Sequence, residues 1–345
     1  MKNAKPKFNG PLFVIGMSRS GTKLLMNILN NSPEICIPSS ESHFIPYLVE
    51  NFSKNRFPLN KRDKNKLKYI LTEGIFYHEV KRETKEFDEL HIDSILKAKN
   101  VQEVIENTIR QTSKDQSKKD ATIWGDKTPN NLLHICLLKK AFPEAKFVHI
   151  IRDPRERALS AHKAWGANMY LSADRWRRSV ESARRQGQAI GADYIEVQYE
   201  KLVNHPEKEV EKVCTFLNIR FSNSLLYFED PLENHNTAGS KTNAAQTIVK
   251  NNTEKFRTEV SSDIVKRMEM IASPTIIQLG YSRKTSNNKE PSLSKNHRKF
   301  LMAQDYVRSV MYHMRRWGVW NGLRFVKWRS IINKVGRANK NDNQR

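Results

Sequence analysis

Apolar residues fall along this chain in two rhythms. Short apolar runs rich in β-branched residues cover residues 12–15, 145–151 and 194–197, bounded by turn formers, and predict strands. Between them, apolar positions recur at helical spacing. Leu24, Leu25, Ile28 and Leu29 mark a first helix, and residues 132–142, 175–190, 207–217 and 264–279 mark others, the last closed by Gly280 as a C-cap. Helices alternating with short, fully apolar strands predict an α/β domain of three layers, a central parallel sheet with helices on both faces.

Two regions break the alternation. Residues 51–120 are rich in Lys, Asn and Glu, with helical patches at 67–75 and 101–109 and a loop at 112–120, and read as a helical insertion. Residues 232–258 read as a polar loop, and 284–296 as a linker of Ser, Asn, Lys and Pro. The predicted organisation is a domain at 1–283 carrying the 51–120 insertion on its substrate side, the linker, and a basic, aromatic helical tail at 297–345.

Charge sharpens the view of that tail. The formal net charge is +23, and residues 283–345 hold 16 Lys/Arg against 3 Asp/Glu. Such a tail reads as a solvated basic segment or as a surface for anionic lipid, nucleic acid or an acidic partner. Trp317, Trp320, Trp328, Ile331 and Val335 fall near one helical face, which suits either an interfacial helix or one docked on the core. Arg324 interrupts that stripe, and Gly318 and Gly322 weaken the helix. Cys36, Cys136 and Cys214 lie far apart, which argues against a zinc site or disulfide framework and fits a reducing compartment. No run is apolar enough to cross a bilayer and no leader is evident, so a cytoplasmic protein is expected, with the tail offering peripheral membrane contact.

The most informative stretch is residues 11–25, a strand, a tight loop bracketed by Gly16 and Gly21, and a helix starting at Thr22. This P-loop-like geometry points backbone N–H groups and a helix N-terminus at an anion. A nucleotide-triphosphate loop places Lys directly after the second glycine. Here Thr22 stands there, and Lys23 comes one residue late, turned about 100° around the helix. Arg19 supplies a planar, bidentate cation instead.

Three further constellations carry chemistry. The strand at 145–151 runs into Arg152-Asp153-Pro154-Arg155 and a helix holding Ser160. In an open α/β sheet this lies beside the glycine loop, where two arginines and a hydroxyl suit a second phosphate; alternatively they form a surface cluster paired with Asp153 and Glu156. Lys127, in Trp124-Gly-Asp-Lys-Thr-Pro129, is a point charge for an oxyanion or an ordinary surface lysine. Glu41, before His43 in the loop after the first helix, is a general base or a cap for the helix from Phe44.

Together these motifs resemble the sulfotransferase superfamily over about residues 11–280. They are Arg19-Ser-Gly-Thr after a strand, Asp126-Lys127-Thr-Pro, Arg152-Asp-Pro-Arg with Ser160, and Val197-Gln-Tyr199-Glu-Lys before a helix ending Phe216-Leu217. The nearest flavour is the tyrosylprotein sulfotransferases and bacterial enzymes acting on carbohydrates or other alcohols. The resemblance implies 3′-phosphoadenosine 5′-phosphosulfate (PAPS) as donor, PAP as product and no metal. It implies that Arg19, Ser20, Gly21, Thr22 and Lys23 hold the 5′-phosphosulfate and that Arg152 and Ser160 hold the 3′-phosphate. Tyr199 would contact the nucleotide, Lys127 the sulfuryl group, and Ser240 with Lys250 a segment closing over the donor. Glu41 would be the catalytic base. Two positions depart from the pattern: Lys23 replaces a threonine, and His43 replaces an arginine beside the glutamate.

The implied reaction is in-line transfer of a sulfuryl group to a hydroxyl of a glycan, a lipid-linked saccharide, another alcohol or tyrosine. Arg19 and Lys127 would stabilise the charge that develops. An ATP-dependent P-loop phosphotransferase and a basic membrane-surface or nucleic-acid-binding protein are the competing readings; the first is opposed by the displaced lysine, and no specific nucleic acid is expected.

Overall fold

The computed structural model describes residues 8–83, 89–113, 115–227, 248, 253–284 and 293–335. Ser240 and Lys250, and most of the expected 232–258 loop, lie outside these residues. The core is one five-stranded parallel sheet in the order β2-β3-β1-β4-β5. Its strands are β1 (Leu12–Gly16), β2 (Ile35–Cys36), β3 (Ile123–Asp126), β4 (Lys146–Ile151) and β5 (Tyr194–Gln198). In β1, Phe13 and Ile15 join one buried cluster while Leu12 and Val14 join another. Both faces are therefore buried, which is why the strand reads as an unbroken apolar run.

α1 (Thr22–Asn30), α10 (Tyr199–Asn204) and α11 (Pro206–Leu217) pack on the Leu12/Val14 face. The other face carries α2 (Ile45–Phe52), α7 (Ile135–Ala141) and the insertion helices α3 (Lys61–Thr72), α4 (Ile75–Glu83), α5 (Glu89–Ile95) and α6 (Val101–Gln111). α8 (Pro154–Trp165), α9 (Met169–Ile190), α12 (Phe256–Glu259), α13 (Ser262–Ala272) and α14 (Thr275–Gln278) flank the sheet beyond β4. The expected late helix is thus two, divided at Ser273-Pro274, because proline lacks the N–H that would continue the ladder. The helix expected from 132 starts as a 3₁₀ turn at Pro129–Leu133, and the one expected from 175 begins at Met169, capped by the Asn168 side chain, which accepts from the Leu171 N–H.

The described part of the tail is a hairpin of α15 (Lys295–Trp317) and α16 (Val319–Ile332). Gly318 breaks it at φ 79°. Gly322 lets the helices close, since a Cβ there would lie 2.8 Å from Met314 Cα. Most of the Trp/Ile stripe marked in the sequence is docked on the core. Trp328 is fully buried and its Nε1 donates to the Ile70 carbonyl at 3.0 Å. Ile331 and Val335 pack against the same cluster. Among the described residues no helix is long and apolar enough to cross a membrane.

Candidate active site

β1 lies between β3 and β4, so the loops leaving all three strands meet at the carboxyl edge of the sheet, where open α/β sheets bind ligands. Arg19 sits at the tip of the glycine loop with φ 75°, a strained backbone for a residue bearing a Cβ. Its Nε donates to Ser160 Oγ at 3.1 Å, across 141 residues of sequence. Arg152 Nη1 donates to the Arg19 carbonyl at 3.1 Å, and its guanidinium lies 4.3 Å from the centre of the Tyr199 ring. The structure therefore brings together Arg19, Arg152, Ser160 and Tyr199. Gly21, at φ 94°, permits the closure: a Cβ there would meet the Tyr199 ring at 2.5 Å. Thr22 opens α1, whose N-terminus has no side-chain cap, an end that suits an anion. Burial, then the neighbouring Arg152 charge, lowers the pKa of Arg19.

Lys127 and Glu41 form the second cluster. Lys127 Nζ donates to Glu41 Oε1 at 2.9 Å, and His43 Nε2 lies 3.3 Å from Glu41 Oε2. Lys127 is 4% exposed, so it is no ordinary surface lysine, whereas the Glu41 side chain is one-third open to solvent at 33%. Glu41 does not cap α2, which has no side-chain cap. Burial pushes its carboxyl up, but Lys127 and His43 outweigh that and hold it well below the usual range. Buried Asp126 joins the two loops. It accepts from Thr128 Oγ1 at 3.1 Å and Asn131 Nδ2 at 2.8 Å, and Thr128 Oγ1 pairs with Ser42 Oγ at 3.1 Å.

One expected anion-binding residue is otherwise occupied. Arg155 is 2% exposed and is held by both Asp153 carboxylate oxygens, by Glu269 at 2.5 Å and by the Ser282 carbonyl. Its donors tie α8 to α13, so Arg152 alone of the pair faces the glycine loop. Arg157, which the sequence did not single out, takes the other place: its Nε donates to the Ser18 carbonyl at 3.0 Å. Its pKa falls to about 10, first through burial and then through the Arg175 and Arg19 charges. Glu156 accepts from Arg152 at 3.2 Å, and Trp176 Nε1 donates to the Arg152 carbonyl at 2.9 Å. No motif flagged Arg157 or Trp176, whose roles arise from contacts across elements; Glu156 is the local arginine partner that the alternative reading of this cluster named.

Several buried donors here have no partner among the described residues: Ser20 Oγ, Arg152 Nε and Arg157 Nη1. Unspent donors at a sheet's carboxyl edge suit a multiply charged anion, and the Lys127–Glu41 pair follows the neighbouring strand β3. The family model described as "Sulfotransferase family" matches residues 11–223, and the chain belongs to that family. It is a sulfotransferase, moving a sulfuryl group to an acceptor hydroxyl. Protein-tyrosine sulfotransferase 1 of Danio rerio is 26% identical over 283 residues, spanning 78% of this chain and 72% of the relative. The Drosophila melanogaster protein-tyrosine sulfotransferase is also 26% identical, over 78% of this chain and 51% of its own length. The solved sulfotransferase domain from the curacin biosynthetic pathway shares the fold, with TM-score 0.53, 19% identity, and coverage of 80% of this chain and 99% of that one.

Proposed function

We propose that the site binds PAPS across the two anion clusters and transfers its sulfuryl group to an acceptor hydroxyl activated by Glu41. Arg19, Ser20, Gly21, Thr22 and Lys23 hold the 5′-phosphosulfate, and Arg152, Ser160 and Tyr199 hold the 3′-phosphate end. The Arg19–Ser160 hydrogen bond carries this reading, because it fuses the two motifs into one extended anion site. The unpartnered Ser20 Oγ and Arg152 Nε supply donors of the kind such a ligand needs.

The chain's own groups account for the chemistry. Lys127 follows β3, the neighbour of β1, donates to Glu41, and has one ammonium to share between that carboxylate and a sulfuryl oxygen. A sulfuryl oxygen drawing on Lys127 weakens its hold on Glu41, raising that carboxylate's basicity when a donor is in place. Glu41 then takes the acceptor proton, worth roughly 10²–10⁴-fold. Arg19, Lys127 and the N–H groups of α1 face the charge that develops on the departing phosphate. Their cations come from side chains, so the reaction is expected to run in EDTA.

The acceptor is a hydroxyl whose carrier the site chemistry leaves open among glycans, lipids, small alcohols and tyrosine. The names of the animal relatives favour tyrosine, while His43 beside Glu41 departs from their pattern. Calorimetric titration with PAP and with ATP tests the donor: PAP should bind more tightly, and a preference for ATP would overturn the assignment. Labelled-donor transfer to glycan, lipid and tyrosine-peptide panels then identifies the acceptor.

A further inference from the structure

We propose that the α15–α16 hairpin seats the enzyme on an anionic lipid surface, its outer face against the bilayer and its inner face over the catalytic cleft. The two faces separate cleanly at about 100° per residue. On α15 the inner side carries Leu301, Asp305, Arg308, Tyr312 and His313. Asp305 pairs with Arg175 of α9 at 2.9 Å, and Arg308 donates to the Gly166 carbonyl at 3.0 Å. On α16 the inner side carries Phe325, Trp328, Ile332 and Arg329, the first three buried in the core.

This inner face looks toward the chemistry. The Gly166 carbonyl that Arg308 grips follows Trp165 at the end of α8, and the Trp165 ring lies 5.8 Å from the Arg19 guanidinium.

The opposite face has no protein partner among the described residues and is apolar. On α15, Phe300 (60% exposed), Val307 and Met311 form one stripe. On α16, Val319, Trp320 (82% exposed) and Leu323 form another. Of the large hydrophobic side chains exposed on the described structure, most belong to this hairpin. Charge identifies the occupant. Residues 295–332 contain nine Lys/Arg and a single acid, Asp305, which is 10% exposed and already paired. Arg308, Arg316 and Arg324 pair with Asp305, Glu79 and Glu73, and the hairpin still carries a large positive excess; apolar and aromatic stripes interleaved with that charge match an anionic bilayer interface. An acidic protein or a nucleic acid would match the cations and leave the apolar stripes unserved. The placement over the cleft rests on the sulfotransferase reading; the lipid contact does not.

The test is co-sedimentation of the full chain with vesicles of phosphatidylcholine alone or with 30% phosphatidylglycerol, with PAP affinity measured in parallel. The chain should sediment with the anionic vesicles and at least tenfold less with the neutral ones. The triple variant V307E/W320E/L323E should lose at least tenfold in vesicle binding and keep wild-type PAP affinity, because all three side chains are exposed. Wild type that ignores anionic vesicles, or a variant that binds them as well as wild type, overturns the proposal. So does self-association of the wild type that the triple variant abolishes while vesicle binding persists. Loss of PAP binding by the wild type itself would instead strike the donor assignment.

Discussion

Replacing Glu41 by Gln separates catalysis from binding. The carboxylate shares Lys127 at 2.9 Å, and Lys127 is nearly fully buried. The amide oxygen of Gln still accepts that hydrogen bond, so the loss is charge rather than geometry. A hydrogen bond to a charged group contributes roughly 1.5–3 kcal/mol. Because Glu41 is one-third solvent-exposed, the cost should fall at or below the lower end, a loss of only a few degrees in Tm. Turnover should fall about 10²–10⁴-fold, since Gln cannot take a proton. Donor affinity should move the other way: with the Glu41 charge removed, Lys127 is held less strongly and can turn to the sulfuryl oxygen, so PAPS should bind at least as tightly as to wild type, while PAP, which lacks that group, should be unchanged. The pH profile follows from the same pair. The folded pKa of Glu41 is depressed, so the pair's stabilisation is complete above the ordinary carboxylate range, near 4.3, and is lost only as pH falls through the lower folded value. The acid limb of kcat/KM should therefore lie below about pH 5. Steady-state kinetics and calorimetry on the same preparations decide it. Turnover within threefold of wild type would remove Glu41 from the mechanism.

Gly21→Ala forces a Cβ to 2.5 Å from the Tyr199 ring at a φ of 94°, and should weaken PAP binding at least tenfold by calorimetry. Arg155→Met strips one partner from the buried Asp153 and Glu269 carboxylates and should cost about 3–5 kcal/mol in denaturant unfolding. The PAP affinity of its folded fraction should stay within threefold of wild type. Trp328→Ala empties a fully buried site beneath the hairpin and should cost about 3–5 kcal/mol in the same assay. Dialysis against EDTA should leave the rate of labelled transfer unchanged.

Much of the catalytic end was legible because it is local. A strand, a loop with two glycines and a helix start form one continuous stretch, and the apolar run of β4 ends directly on Arg152. What escaped was non-local. β2 and β3 have two and four residues, too short for a period to show. Arg155 reads as a twin of Arg152, but β4 ends at Ile151 and α8 begins at Pro154, so the helix carries Arg155 toward Glu269 and away from the loop. Arg157 sits two residues on and turns back to the Ser18 carbonyl. In the tail the aromatic spacing was visible, but the side it buries depended on Gly318 breaking the helix and Gly322 admitting Met314.

The arginines around the site divide by what neutralises them. Arg155 is surrounded by Asp153 and Glu269, and Arg152 reaches Glu156. Among the described residues Arg19 donates to a hydroxyl and lies over the Trp165 ring, and Arg157 donates to a carbonyl; Arg152 lowers the proton affinity of Arg19, and Arg175 and Arg19 lower that of Arg157. Keeping these cations together with no carboxylate paired to them among the described residues raises the fold's free energy, and an anion placed between them lowers it. Donor binding and stability are then one quantity seen twice: a ligand at 100 times its Kd stabilises by about 2.7 kcal/mol. The strained φ of Arg19 belongs to the same account, since the backbone that aims its guanidinium at Ser160 is tolerated for what the pair will bind.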